Sequence, residues 1–260
     1  MQGNKFLATL MWELKNLCRF PFPETLLAMF VYIAFVSHGS HFSFSVPLEY
    51  LDWLKINREL AYHTLEEAAR LSSEVYLPLG IFVTIFTTLS FAYEIENGLL
   101  KVYFSHPISK KGIFLSKFLS CFFLIYATFS ISFLTYALLK IPENIPYLIF
   151  SVDLIFKLLL LTALECFFMA SLTTSFSIFS EKASVSLIGS FAIIYILQLL
   201  SESVRLPYLP PISFKEQAFT LFSSTPPQFY DILNFASTPI ISTFLILLSY
   251  IYFSRRLEIA

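Results

Sequence analysis

The sequence predicts an all-α integral membrane protein: six transmembrane helices, an N-terminal interfacial helix and helical segments outside the membrane, with 1–260 forming a single domain. Three observations carry this. The chain is 57% hydrophobic and only 13% charged, with a mean hydropathy of +0.72, against about 45–50% and about 25% in soluble domains. It contains long runs free of Asp, Glu, Lys and Arg, and about 20 apolar helical residues cross a hydrocarbon core of about 30 Å. Those runs do not alternate in polarity, as the four leucines at 158–161 illustrate, whereas barrel strands would alternate over about ten residues.

The elements follow in chain order. Residues 1–20 place Phe6, Leu7, Leu10, Met11, Leu14 and Leu17 on one stripe, with Lys5, Glu13, Lys15, Asn16 and Arg19 elsewhere. That is a helical period with charge inside it, an amphipathic helix along the interface rather than a signal peptide. Pro21 and Pro23 break it. A first span at about 25–37 ends before His38, Gly39 and His41, and the acidic segment 39–74 that follows reads as a surface helix or helix pair. Spans two and three are expected at about 75–93 and 115–139. A fourth, at about 147–178, contains Asp153, Lys157 and Glu165. The fifth and sixth fall at about 183–201 and 233–254. Between them, five prolines enclose Ser213-Phe-Lys-Glu216, a capping box that starts a short apolar helix. That helix either dips into the outer leaflet or closes the bundle as a rigid loop.

Lysine and arginine placement gives the orientation. With the N-terminus inside, Lys5, Lys15, Arg19, Lys101, Lys110, Lys111, Lys117, Lys182, Arg255 and Arg256 lie on the inner side. Lys55, Arg58, Arg70, Lys140, Arg205 and Lys215 lie outside. The bias favours a multi-pass protein of the cell membrane with both termini cytoplasmic.

The search for chemistry returns mainly exclusions. A net charge of -1 offers no basic surface to displace counterions from nucleic acid. Cys18, Cys121 and Cys166 are far apart, without CxxC spacing, so neither a metal site nor a disulfide framework is indicated. There is no GxxxxGK[ST] to cradle a nucleotide and no HExxH among His38, His41, His63 and His106. The chain is therefore expected to be no enzyme by itself and to bind no cofactor. Glu66-Glu67-Ala-Ala-Arg70 approaches the EExxxR pattern of intramembrane proteases but is one spacer residue short.

The most informative stretch is the inner segment 94–117. It holds a hinge at Gly98, a short amphipathic helix from Leu99 to Phe104, a stop at Pro107 and a basic cluster, an element suited to pressing against a cytoplasmic partner. Here the sequence resembles the permease subunits of ABC-2-type transporters, whose corresponding loop has an acidic-x-acidic-x-Gly stretch, a Leu-rich helix and a Ser-x-Pro-Ile-Ser-basic run. Glu94, Glu96, Gly98, Leu99, Ser105, Pro107, Ile108, Ser109 and Lys110 match, while Tyr103 and Phe104 replace the commoner aliphatic pair. The N-terminal helix ending Arg19-Phe-Pro-Phe-Pro23 looks like the family's elbow helix, and Phe253-Ser-Arg-Arg-Leu-Glu258 like its basic end. The resemblance implies a dimer with a second permease copy or a paralogue. Each permease would dock a separate ATP-binding subunit, which carries the ATP and Mg, through these loop residues.

Ionisable residues within a span are costly and invite a functional reading. Asp153 and Lys157 stand four apart in the favourable order for an ion pair, either snorkelling to the outer interface or lining a path. Glu165, roughly 12 Å deeper by the helical rise, is the better candidate for a pathway or dimer interface. The expected function is that of a permease exporting an unidentified substrate. The alternatives are a membrane subunit that transmits ATP-driven motion to an extracytoplasmic partner, and a membrane-embedded enzyme.

Overall fold

The computed structural model of the protein describes residues 2–18, 24, 25, 27, 28, 78–99, 109–140, 152–204 and 229–259. Among them the regular elements are helices and no strand occurs. α1 spans Gln2–Leu17, α2 Pro78–Glu96, α3 Lys110–Lys140, α4 Val152–Ser180, α5 Ala183–Val204 and α6 Phe229–Ile259. Helices α2 to α6 are five segments long and apolar enough to cross a membrane. The expected span at 25–37, the acidic segment 39–74 and the capping box at 213–216 fall outside the described residues, apart from helical Glu24, Thr25, Leu27 and Ala28.

Several helices run past the span bounds expected from the sequence, among them α6, which covers Phe229–Ile259 against about 233–254. α2 continues through Glu94 to Glu96 instead of stopping at 93, and α3 begins at Lys110 rather than 115. A charge read from sequence marks where a span leaves the membrane, but Glu94 and Lys117 satisfy each other within the bundle and the helices run on through them.

α2 to α4 supply most of the core, through Val83, Phe86 and Phe91, then Phe114, Phe118 and Ile125, then Leu161, Phe168 and Met169. α5 adds Ile194, and α6 adds Phe253. α5 and α6 leave long faces outward, including Ile188, Ile196, Ile240 and Phe244. The end of α2, the start of α3, the α4–α5 turn and the last turns of α6 meet at one end, which we term the base. Aromatic rings fill it: Phe114 lies 5.9 Å from Phe91, 5.6 Å from Phe253 and 5.5 Å from Tyr250, centroid to centroid.

Apolar side chains gain little by leaving lipid for one another, so close packing and hydroxyl bonds hold such helices together. Thr88 Oγ1 and Ser177 Oγ lie 2.8 and 2.7 Å from Ser186 Oγ, linking α2, α4 and α5. Ser249 Oγ donates to Ser175 Oγ at 2.7 Å, linking α6 to α4. Two glycines permit α5 to approach. A β-carbon on Gly80 would lie 2.9 Å from Ile194 Cγ2, and one on Gly189 would overlap the ring of Phe176.

The Gly189 contact is therefore sensitive to a single methyl group. Gly189→Ala is expected to destabilise the protein by roughly 1–3 kcal/mol, the usual range for overpacking. Adding Phe176→Leu should recover part of the loss, read as the midpoint of thermal unfolding in detergent. An alanine variant as stable as the parent would show that the α4–α5 seam is loose.

Candidate functional site

The base is built around an unusual side chain. Lys117 lies seven residues into α3 and is fully buried, on the face that also carries Ile113, Cys121 and Leu124. Its Nζ is 2.8 Å from Glu13 Oε1 of α1 and 2.8 Å from Glu94 Oε2 of α2, and it donates to Glu94 Oε1 at 2.9 Å. Glu13 is 3% exposed. A buried ammonium is stabilised only by good partners, and removing one partner from a buried pair typically destabilises by about 3–5 kcal/mol. One cation therefore fixes three helices to one another.

Glu13 lies off the apolar stripe that the sequence predicts for α1, yet it is on the buried face. The buried or half-buried face of α1 holds Phe6, Leu10, Glu13 and Leu17, whereas Leu7, Met11 and Trp12 are exposed. Ser120 Oγ also donates to the Leu10 carbonyl, at 3.4 Å, so α1 lies along α3.

The path of α2 explains how Glu94 reaches its partner. Residues Thr88–Ala92 form a π-helical turn, closed by the Tyr93 N–H donating to the Thr88 carbonyl. Such a turn holds an extra residue, so everything beyond it is rotated by roughly 100°, one residue's share of an α-helical turn. The turn is pinned on two sides, by Thr88 to Ser186 and by Cys121 Sγ donating to Ser90 Oγ at 3.2 Å.

Past Glu94, α2 closes with a glycine cap. The Asn97 N–H and the Gly98 N–H donate to the carbonyls of Tyr93 and Ile95, both at 3.1 Å, and Gly98 has φ +68. In that left-handed region a side chain would cost about 1–2 kcal/mol. Glu96 points to α5, where its Oε2 accepts the Ala183 N–H at 2.8 Å. This satisfies one of the free donors of a helix start and places a negative charge at its positive end.

The far side of the connection is fixed as well. Ser109 caps α3, its Oγ accepting the Gly112 N–H at 3.1 Å, and Lys110 Nζ donates to the Ser254 carbonyl of α6 at 3.4 Å. Glu181, at φ 58 in the α4–α5 turn, accepts the Tyr252 hydroxyl at 2.9 Å.

The structure thus brings Glu94, Glu96, Gly98, Ser109 and Lys110 together at the base and leaves Leu99 exposed beside them. Ser105, Pro107 and Ile108 lie outside the described residues. Glu165 is elsewhere, buried in α4. Lys157 is half-buried in α4, while the Asp153 side chain, and with it the expected pair, lies outside the described residues. At the end of α1, burial and then the nearby Glu24 carboxylate push the Cys18 thiol up. Among the described residues no cluster of His, Cys, Asp and Glu is arranged to hold a metal.

Reading the sequence missed Glu13 and Lys117. Their signal was periodic: each shares a helical face with residues that are themselves core.

The arrangement ties the end of α2 to α1 and α3 through Lys117 and to α5 through Glu96. No curated protein matches the chain. The family described as "ABC-2 family transporter protein" matches residues 24–256. The chain, a multi-pass membrane protein, belongs to the ABC-2 transporter family.

Proposed function

We propose that this chain is the six-span transmembrane permease of an ATP-driven exporter, paired with a second permease copy or a paralogue and coupled to a separate ATP-binding subunit through residues 94–110. Membership of the ABC-2 family supports a permease with an ATP-binding partner. The observation that carries the coupling is the double anchorage of the connection, Glu94 to the buried Lys117 and Glu96 to the first N–H of α5. A segment attached at its head this way delivers force to the bundle instead of absorbing it. ATP and Mg belong to the partner, and this chain supplies no catalytic group. In the membrane, α1 lies along the interface as an elbow helix, with Leu7, Met11 and Trp12 turned outward.

Leu99 is exposed at the head of the connection and lies outside the ion pairs, so it probes docking without disturbing the base. Leu99→Asp should weaken the complex by roughly thirtyfold, the effect of truncating a contact worth about 2 kcal/mol, while membrane insertion persists. Undiminished copurification and undiminished stimulation of ATP hydrolysis would remove the segment from the mechanism.

Topology can be tested in a background without the native cysteines. With six spans and cytoplasmic termini, cysteines at Ser72 and Ser224 react with an impermeant thiol reagent in intact cells, and one at Ser180 does not. Reaction at Ser180 alone would invert the orientation.

Glu165 gives a third test. A carboxylate buried in a spanning helix must face protein, water or another subunit, because a charge left against lipid is expensive. If it lines a path or a dimer interface, Glu165→Gln should assemble and bind the ATP-binding subunit yet lose cargo-dependent activity. Full activity across pH would assign Glu165 to helix packing.

A further inference from the structure

We infer that the Glu13–Lys117–Glu94 triad is a transmission strut, through which movement of the 97–109 connection displaces the N-terminal helix α1. Glu13 and Lys117 are then positioning residues of the coupling step. The inference rests on the proposed permease function and adds to it a moving part and the residues that move it.

Four observations combine here. First, α1 precedes the matched residues 24–256 and is held to α3 by the Ser120 bond to the Leu10 carbonyl and by the ion pair of Glu13 with Lys117. Second, that attachment is ionic where an apolar contact would suffice. Leu17 already places α1 in the apolar core, and Lys117 sits on a core-facing position with Ile113, Phe114 and Cys121. Buried ion pairs can often be replaced by packed apolar side chains without loss of stability, so packing alone does not require a lysine between two acids. Third, an ion pair is directional in a way that a greasy contact is not. Leucines slide over one another, whereas an ammonium held at 2.8 Å by carboxylates on either side passes a shift of one to the other. Fourth, Glu94 stands two residues before Glu96, where α2 ends, and follows the π-helical turn Thr88–Ala92, a turn type frequent at functional sites. A push on the end of α2 therefore passes from Glu94 to Lys117 and on to Glu13.

The outward residues of α1 give the motion a destination. Leu7, Met11 and Trp12 are exposed on the side away from Glu13, so tilting α1 about its anchored face changes how deeply that side sits in the surrounding medium.

The test uses the full chain in complex with its ATP-binding subunit, reconstituted in lipid nanodiscs. Glu13→Leu is the informative change, since it removes the outer carboxylate, keeps an apolar side chain of similar size and leaves Lys117 paired one-to-one with Glu94. Spin labels are placed at the exposed Leu7 of α1 and Ile188 of α5, in a background whose native cysteines are alanine. In the parent, ATP with vanadate should shift the distance between the labels. In Glu13→Leu the shift should vanish, and kcat of permease-stimulated ATP hydrolysis should fall about tenfold, within the usual span of a coupling free energy, with KM for ATP unchanged. A second variant, Glu13→Leu with Glu94→Leu and Lys117→Met, removes all three charges, leaves no buried ion unpaired and should behave in the same way.

A parent whose label distance ignores nucleotide overturns the inference. So does a Glu13→Leu protein with the parent's shift and kcat, and so does failure of both variants to assemble, which would make the triad purely structural. Absence of any ATP-binding subunit from the purified parent overturns the permease reading itself, and the inference falls with it.

Discussion

Lys117 is the constraint on which the base of this bundle depends. A lysine ammonium stripped of water must be compensated within a few ångströms, and the two acids that compensate it come from α1 and α2. Neither acid has freedom to choose another position. Glu13 must sit on the inward face of α1, which turns Leu7 and Met11 outward. Glu94 must point back into the bundle at the end of α2, which the π-helical turn Thr88–Ala92 achieves by adding a residue to that helix. The turn is held by Ser186 of α5 and Cys121 of α3. A local irregularity in α2 is thus supported by the same helices that its product, the placement of Glu94, helps to align.

Around this ionic centre the helices are joined by contacts suited to an apolar solvent. The hydroxyls of Thr88, Ser177 and Ser186 meet where α2, α4 and α5 converge. The hydroxyls of Ser175 and Ser249 meet where α4 faces α6. Other buried hydroxyls bond back to the carbonyl of the preceding turn, as Thr84 does to Gly80 at 2.7 Å and Thr173 to Met169 at 2.8 Å, which satisfies them without a neighbour. Cross-links between helices are therefore few and specific. They cluster toward the base, where Thr88, Ser177 and Ser186 all lie within three turns of Glu96, Ser180 or Ala183.

What could be read from the sequence follows from the same physics. Charge-free runs located α2, α3, α5 and α6 because an unpaired charge in hydrocarbon is expensive, and α4 was legible as a long apolar stretch in spite of Asp153, Lys157 and Glu165; Gly98, read as a hinge, is the left-handed cap that closes α2. The same rule misplaced the ends of α2 and α3. It treats every charge as a boundary, whereas Glu94 and Lys117 are interior residues that neutralise each other. Glu13 was recoverable from its period with Leu10 and Leu17, but its partner was not, since Lys117 is a hundred residues away and nothing local links them. The π-helical turn had no sequence signal, being imposed by tertiary contacts on Thr88 and Ser90. The loop residues were found by family resemblance. Their intramolecular roles, Glu96 on α5 and Ser109 capping α3, came only with the structure.

The two anchors of the 97–109 connection differ in kind, and the difference has a mechanical consequence. Glu94 bonds a fully buried lysine in a region of low dielectric, where salt hardly screens it and separation leaves a charge stranded. Glu96 is exposed and holds a helix N-terminus, a contact worth about 0.3–1 kcal/mol and weakened by salt. The end of α2 is thus tied firmly to α1 and α3 and weakly to α5, so that salt loosens the Glu96 contact while the Glu13–Lys117–Glu94 contacts keep α1, α2 and α3 joined.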